Sequence, residues 1–88
     1  MTPMAETIDK IADDRLIHVI RHPNDYPWDF LAMKIILTRL NLKLFMNESD
    51  NTAILSECCD ELRTLLKKSF NIPRALNDLN KILSLSVT

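Results

Sequence analysis

Glycine is absent from all 88 residues of this chain. Loops that cradle phosphate, nucleophile elbows and tight type I′ or II′ hairpins need residues that tolerate positive φ or a close backbone approach. Walker, Rossmann and GxSxG chemistries are thereby excluded. Left-handed helix caps must come from asparagine, and Asn24, Asn41, Asn47, Asn51, Asn71, Asn77 and Asn80 are the candidates.

Cysteine is scarce as well: only Cys58 and Cys59 occur. Neighbours on a helix point ~100° apart, a poor geometry for a disulfide between them. The expected setting is therefore reducing. The first 25 residues carry Glu6, Asp9, Asp13 and Asp14 with no long apolar run, so no secretory signal is read there. The most apolar stretch, residues 30–46, is interrupted by Lys34, Arg39 and Lys43, short of the ~20 residues that a membrane span needs. Together these features predict a soluble cytoplasmic protein without a membrane partner.

Neither sign of charge dominates, with 11 Lys and Arg against 12 Asp and Glu. At 47% hydrophobic and 26% charged residues the chain suits one folded domain, residues 1–88, rather than disorder. A domain this short buries only somewhat over ~60% of the surface its unfolded chain exposes, so its core is thin and a partner would help it.

The clearest periodicity lies in residues 52–70. Leu55, Cys58, Cys59, Leu62, Leu65, Leu66 and Phe70 fall within a ~160° arc at helical spacing. Ser49, Asp50 and Asn51 offer start signals, and the charges run from acidic Glu57, Asp60 and Glu61 to basic Arg63, Lys67 and Lys68, as the helix dipole favours. Asn71-Ile72-Pro73 then turns the chain into a further helix with Ala75, Leu76, Leu79, Ile82, Leu83 and Val87 on one side and Arg74, Asn77, Asp78 and Lys81 on the other.

Upstream, Asn24-Asp25-Tyr26-Pro27 reads as a turn opening a helix that runs to about residue 46. That helix is apolar nearly all round, with Leu31, Ile35 and Leu42 on one side and Met33, Leu37 and Leu44 almost opposite. One stripe would suffice for a peripheral element, so such a helix is central to the fold or shared with another chain. At the N-terminus Met4, Ile8, Ile11, Ala12, Leu16 and Val19 suit one helical face, from which Ile17 and Ile20 depart.

The expected fold is all-α: a small four-helix bundle or pair of helical hairpins, with helices near residues 3–21, 26–46, 51–70 and 73–86, completed by dimerisation. The alternative is α+β, with residues 15–20 and 40–44 pairing as two short strands.

No constellation of residues converges on catalysis. Asp14, His18 and His22 share a helical side at i, i+4 and i+8, where two imidazoles could share a metal, but Pro23 disfavours helical geometry at His22 and the site would need a further ligand such as Asp25 or a cysteine brought in by folding. No metal and no cofactor are expected. Cys58 and Cys59 sit in the apolar arc beside Glu57, Asp60 and Glu61, which raise a thiol pKa, so they read as core residues and not nucleophiles. Asp13 with Asp14, and Asp60 with Glu61, are neighbours on solvated faces with nothing aimed at them.

The leading expectation is a non-catalytic interaction module, either a homodimer or a regulator or inhibitor of a larger protein. Tyr26, Trp28 and Phe30, three of the five aromatics, join Leu37 and Leu44 as its expected partner-binding residues. The alternative is a nucleic-acid-binding regulator. Net charge is segregated, −2 over residues 1–25, +2 over 26–47, −5 over 48–62 and +4 over 63–88, and the last block presents Arg63, Lys67, Lys68, Arg74 and Lys81. With Pro73 in its turn and no second basic cluster, it makes a poor helix-turn-helix, and nucleic acid is the less favoured partner.

Overall fold

Helix starts follow local chemistry at some points and distant side chains at others. The computed structural model describes residues 3–47 and 51–85, and those residues form five helices: α1 (Pro3–Asp9), α2 (Asp13–Arg21), α3 (Leu31–Met46), α4 (Thr52–Ser69) and α5 (Pro73–Ser84). The all-α expectation holds. No strand occurs among the described residues; 15–20 and 40–44 are both helical, which removes the α+β alternative.

α4 is the element against which α1, α2, α3 and α5 all pack. Its start is local: the Asn51 side-chain oxygen accepts from the N–H groups of Ala53 (3.0 Å) and Ile54 (3.3 Å), satisfying two of the donors that a helix leaves unpaired at its first turn. Ser49 and Asp50, the other expected start signals, lie outside the described residues. Cys58, Cys59, Leu62 and Leu66 are buried, as the periodicity predicts, with Leu55, Leu65 and Phe70 packed partly buried beside them. Pro73 opens α5 at its first turn. Ala75, Leu79 and Ile82 face inward; Val87 is outside the described residues.

The expected first helix, 3–21, is two helices. Ala12 takes extended backbone (φ −63°, ψ 143°), and the Asp13-Asp14 pair opens α2 where carboxylates meet the positive end of the helix dipole. Arg63 reaches across from α4 into this break, donating to the Ile11 carbonyl and to Asp13 Oδ1. The break also shifts the helical phase, so Ile20 joins Leu16 and Val19 in the core while Ala12 is exposed.

The second expected helix starts at Leu31 instead of Tyr26. Two ties hold residues 26–30 out of helix. The Trp28 indole Nε1–H donates back to the Pro23 carbonyl. Asp78 on α5 accepts the Asp29 N–H on Oδ1 and the Phe30 N–H on Oδ2, both at 2.9 Å. That carboxylate stands at the N-terminus of α3 and does from a distance what a local capping residue does elsewhere. Periodicity alone groups Asp78 with the solvent side of its helix; it is fully buried. Lys81 reinforces the junction, lying 3.6 Å from Asp78 Oδ1 and 3.9 Å from Asp29 Oδ2 and donating to the Pro27 carbonyl.

Candidate interaction face

α3 has two apolar stripes, and the bundle covers one. Met33, Leu37, Leu40 and Leu44 fall within a ~60° arc and are buried in the core. Polar groups on the flanks hold this stripe inward. On the α2 side, Asn41 Nδ2 donates to the carbonyl of Ile20 (3.0 Å) and to that of Arg21 (3.3 Å), using acceptors that the end of α2 leaves open. On the α4 side, Arg39 lies 2.9 Å from Glu61 and Lys43 lies 2.7 Å from Glu57, a bond that raises the Lys43 ammonium above its ordinary pKa.

Leu31, Ile35, Leu42, Phe45 and Met46 occupy a ~100° arc on the opposite side, with Thr38 inside it about midway along the length of the stripe. These five residues expose between 55 and 83% of their surface. The expectation that Leu37 and Leu44 meet a partner is therefore corrected: they are 0 and 4% exposed and belong to the core. The free surface is the stripe on the other side of the same helix. Leu31, Ile35, Thr38, Leu42 and Phe45 follow one another at steps of four, three, four and three residues, the spacing of a coiled-coil seam. At roughly 200 Å² per large side chain they expose, with Met46, on the order of 600 Å², at the top of what an ordinary monomer shows in one patch.

Tyr26, Trp28 and Phe30 are half-buried, with Trp28 and Phe30 packed on the core. The Tyr26 hydroxyl lies 3.3 Å from His18 Nε2, and its ring meets the Trp28 ring edge-on at 5.8 Å. These contacts clamp the approach to α3 onto α2.

The His18 and His22 rings lie 4.8 Å apart, tilted by 46°, and His22 Nδ1 is 3.7 Å from Asp25. With Asp14, Ile17, Arg21 and Leu55 they line a depression of about 370 Å³. Among the described residues no group of three or more His, Cys, Asp and Glu could hold a metal ion. Both cysteines are unpaired and buried. Burial, more than the neighbouring acids, pushes the Cys59 thiol up to about 11, and it raises Cys58 in the same direction. A thiol so protonated is a weak nucleophile.

The C-terminal cations are spread over structural tasks. Arg63 holds the α1–α2 break, Lys67 pairs with Asp9, and Lys81 sits in the Asp78 junction. Lys68 and Arg74 have no ion pair among the described residues. No helix there is long and apolar enough to cross a membrane.

No family model matches this chain, nor does any curated protein or solved structure.

Proposed function

We propose that the chain is a non-catalytic protein-interaction module of the cytoplasm, which uses the outer face of α3 to bind an amphipathic helix. One observation carries the reading: the stripe from Leu31 to Met46 is exposed on a helix whose opposite face already satisfies the core. Its seam-like spacing suits a helix as occupant, because knobs every three and four residues interdigitate with the same pattern on a facing helix. The unpaired, buried cysteines fit a reducing compartment. A nucleic-acid reading has less support, because Arg63, Lys67 and Lys81 are engaged within the fold and the +4 block is not a free basic face.

The test is photo-crosslinking in cells that produce the protein, with a photoreactive residue placed either at Leu42 in the stripe or at Thr64 on the solvent side of α4. Discrete protein adducts are expected from position 42 and not from position 64. They should vanish when Phe45→Glu is added. Equal labelling from both positions, or adducts indifferent to Phe45→Glu, would overturn the reading.

A further inference from the structure

We infer that the helix received by this face is α3 of a second copy of the chain, turned end to end, so that two copies pair about a twofold axis near Thr38. The inference rests on the interaction-module reading and names its occupant.

The first support is the pattern. Relative to Thr38 the seam residues Leu31, Ile35, Leu42 and Phe45 stand at −7, −3, +4 and +7, with Met46 at +8 beyond the repeat; the four seam positions read the same in both directions to within one residue. A copy laid antiparallel brings Leu31 against Phe45 of the second copy and Ile35 against Leu42 of the second copy. The smallest member, Thr38, falls at the crossing, where it lets the two backbones approach. An unrelated helix would not need this near-symmetry, whereas a twofold interface uses one patch twice and must be self-complementary.

Charge is the second support. The cations beside the stripe on its α4 side, Arg39 and Lys43, arrive already paired with Glu61 and Glu57 of their own chain, so the face does not call for an acidic partner. Lys34 borders the other edge. In a parallel pair the two Lys34 ammonium groups would stand level. Antiparallel packing separates them by about 12 Å along the axis, beyond the ~8 Å over which exposed charges act at physiological salt. Each helix N-terminus then also lies beside the other's C-terminus, the favourable arrangement of dipoles. A net charge of −1 leaves little overall repulsion between copies.

Area is the third. Two stripes of on the order of 600 Å² each offer at most about 1,200 Å² for burial, to which Thr38 and the stems of Lys34 and Arg39 add, which reaches the lower end of stable specific interfaces. At the Phe45 end a hollow of about 210 Å³ between Arg21, Asn41, Leu44 and Phe45 borders the stripe. In the antiparallel pair Leu31 of the second copy comes to its mouth.

Sedimentation equilibrium of the purified chain from 5 to 500 µM tests the pairing. The expected result is a species of twice 10.2 kDa, with Ile35→Glu raising the dissociation constant roughly 100-fold or more while the far-ultraviolet circular dichroism is retained. Orientation is read by thiol crosslinking. Mixed Leu31→Cys and Phe45→Cys proteins should form the mixed dimer on mild oxidation, and neither alone should crosslink efficiently. A mass of 10.2 kDa throughout, or a dimer indifferent to Ile35→Glu, would overturn the inference. So would Leu31→Cys crosslinking to itself as readily as to Phe45→Cys. If the protein is monomeric yet position 42 still yields adducts of other masses in cells, the occupant named here is wrong and the interaction-module reading stands.

Discussion

α3 and α4 are helices of similar length with opposite relations between sequence and burial. α4 has one apolar arc, and the bundle buries it. α3 has two, of comparable hydrophobicity, and the bundle buries only the one formed by Met33, Leu37, Leu40 and Leu44. The difference teaches that an apolar stripe marks where a helix can be buried, while neighbouring elements decide whether it is. Here that decision rests on Asn41 reaching α2 and on Arg39 and Lys43 reaching α4, which together fix the rotation of α3 about its axis.

The comparison can be broken most severely from within α3. Leu37→Glu places a carboxylate in a fully buried site and should cost ~4 kcal/mol or more, enough to unfold much of a domain this small. Loss of the cooperative thermal transition in circular dichroism is the expected outcome. The next largest effect belongs to the junction at the start of α3. Asp78→Ala leaves the Asp29 and Phe30 N–H groups without their shared acceptor and should destabilise by ~2–3 kcal/mol, read as a lowered urea midpoint. Trp28→Ala removes a half-buried ring and its bond to Pro23, for ~2 kcal/mol of folding stability, with the exposed stripe of α3 untouched. Tryptophan emission from the native protein should accordingly be partly shielded from acrylamide.

A subtler contrast is set by pH on α4. Cys59 ionises near 9.0 when unfolded and near 11 in the fold. Between those values the unfolded chain loses a proton that the folded one keeps, so stability is unaffected below about pH 9 and falls as the pH rises toward 11. Chemical denaturation at pH 8 and pH 10.5, compared with the same pair of measurements on Cys59→Ser, isolates that loss. Smallest of all is the effect of Ile35→Glu on the stability of the monomer, within ~0.5 kcal/mol, because the site is already half in water. A glutamate that unfolds the chain at position 37 and leaves it folded at position 35 would separate the two faces of α3 directly.

Much of this architecture was legible along the chain. The span and inward face of α4, the proline start of α5, the turn at Asn24 and the core placement of both cysteines follow from interactions among residues a few positions apart, which hydrophobic period and capping chemistry report directly. The candidate face is half legible: the pattern shows both stripes of α3, but Leu37 and Leu44, the residues it offers to a partner, lie on the stripe that the core takes. The Asp13-Asp14 pair is a usable start signal for α2, outweighed by an apolar pattern that runs on through Ala12.

What the sequence determined by itself was the number of apolar stripes, the span of α4, the start of α5 and the ends of α2 and α3, because helix formation is governed by neighbours three and four residues away. Only the tertiary structure decided which stripe of α3 stays in water, why α1 stops short of α2, and why α3 waits until Leu31. Each of those outcomes depends on a polar side chain from far along the chain: Asn41 on Ile20, Arg63 on Ile11 and Asp78 on Phe30, separated by 21, 52 and 48 residues. Such partners satisfy backbone groups that local sequence leaves open, and they come within reach only after the helices have packed.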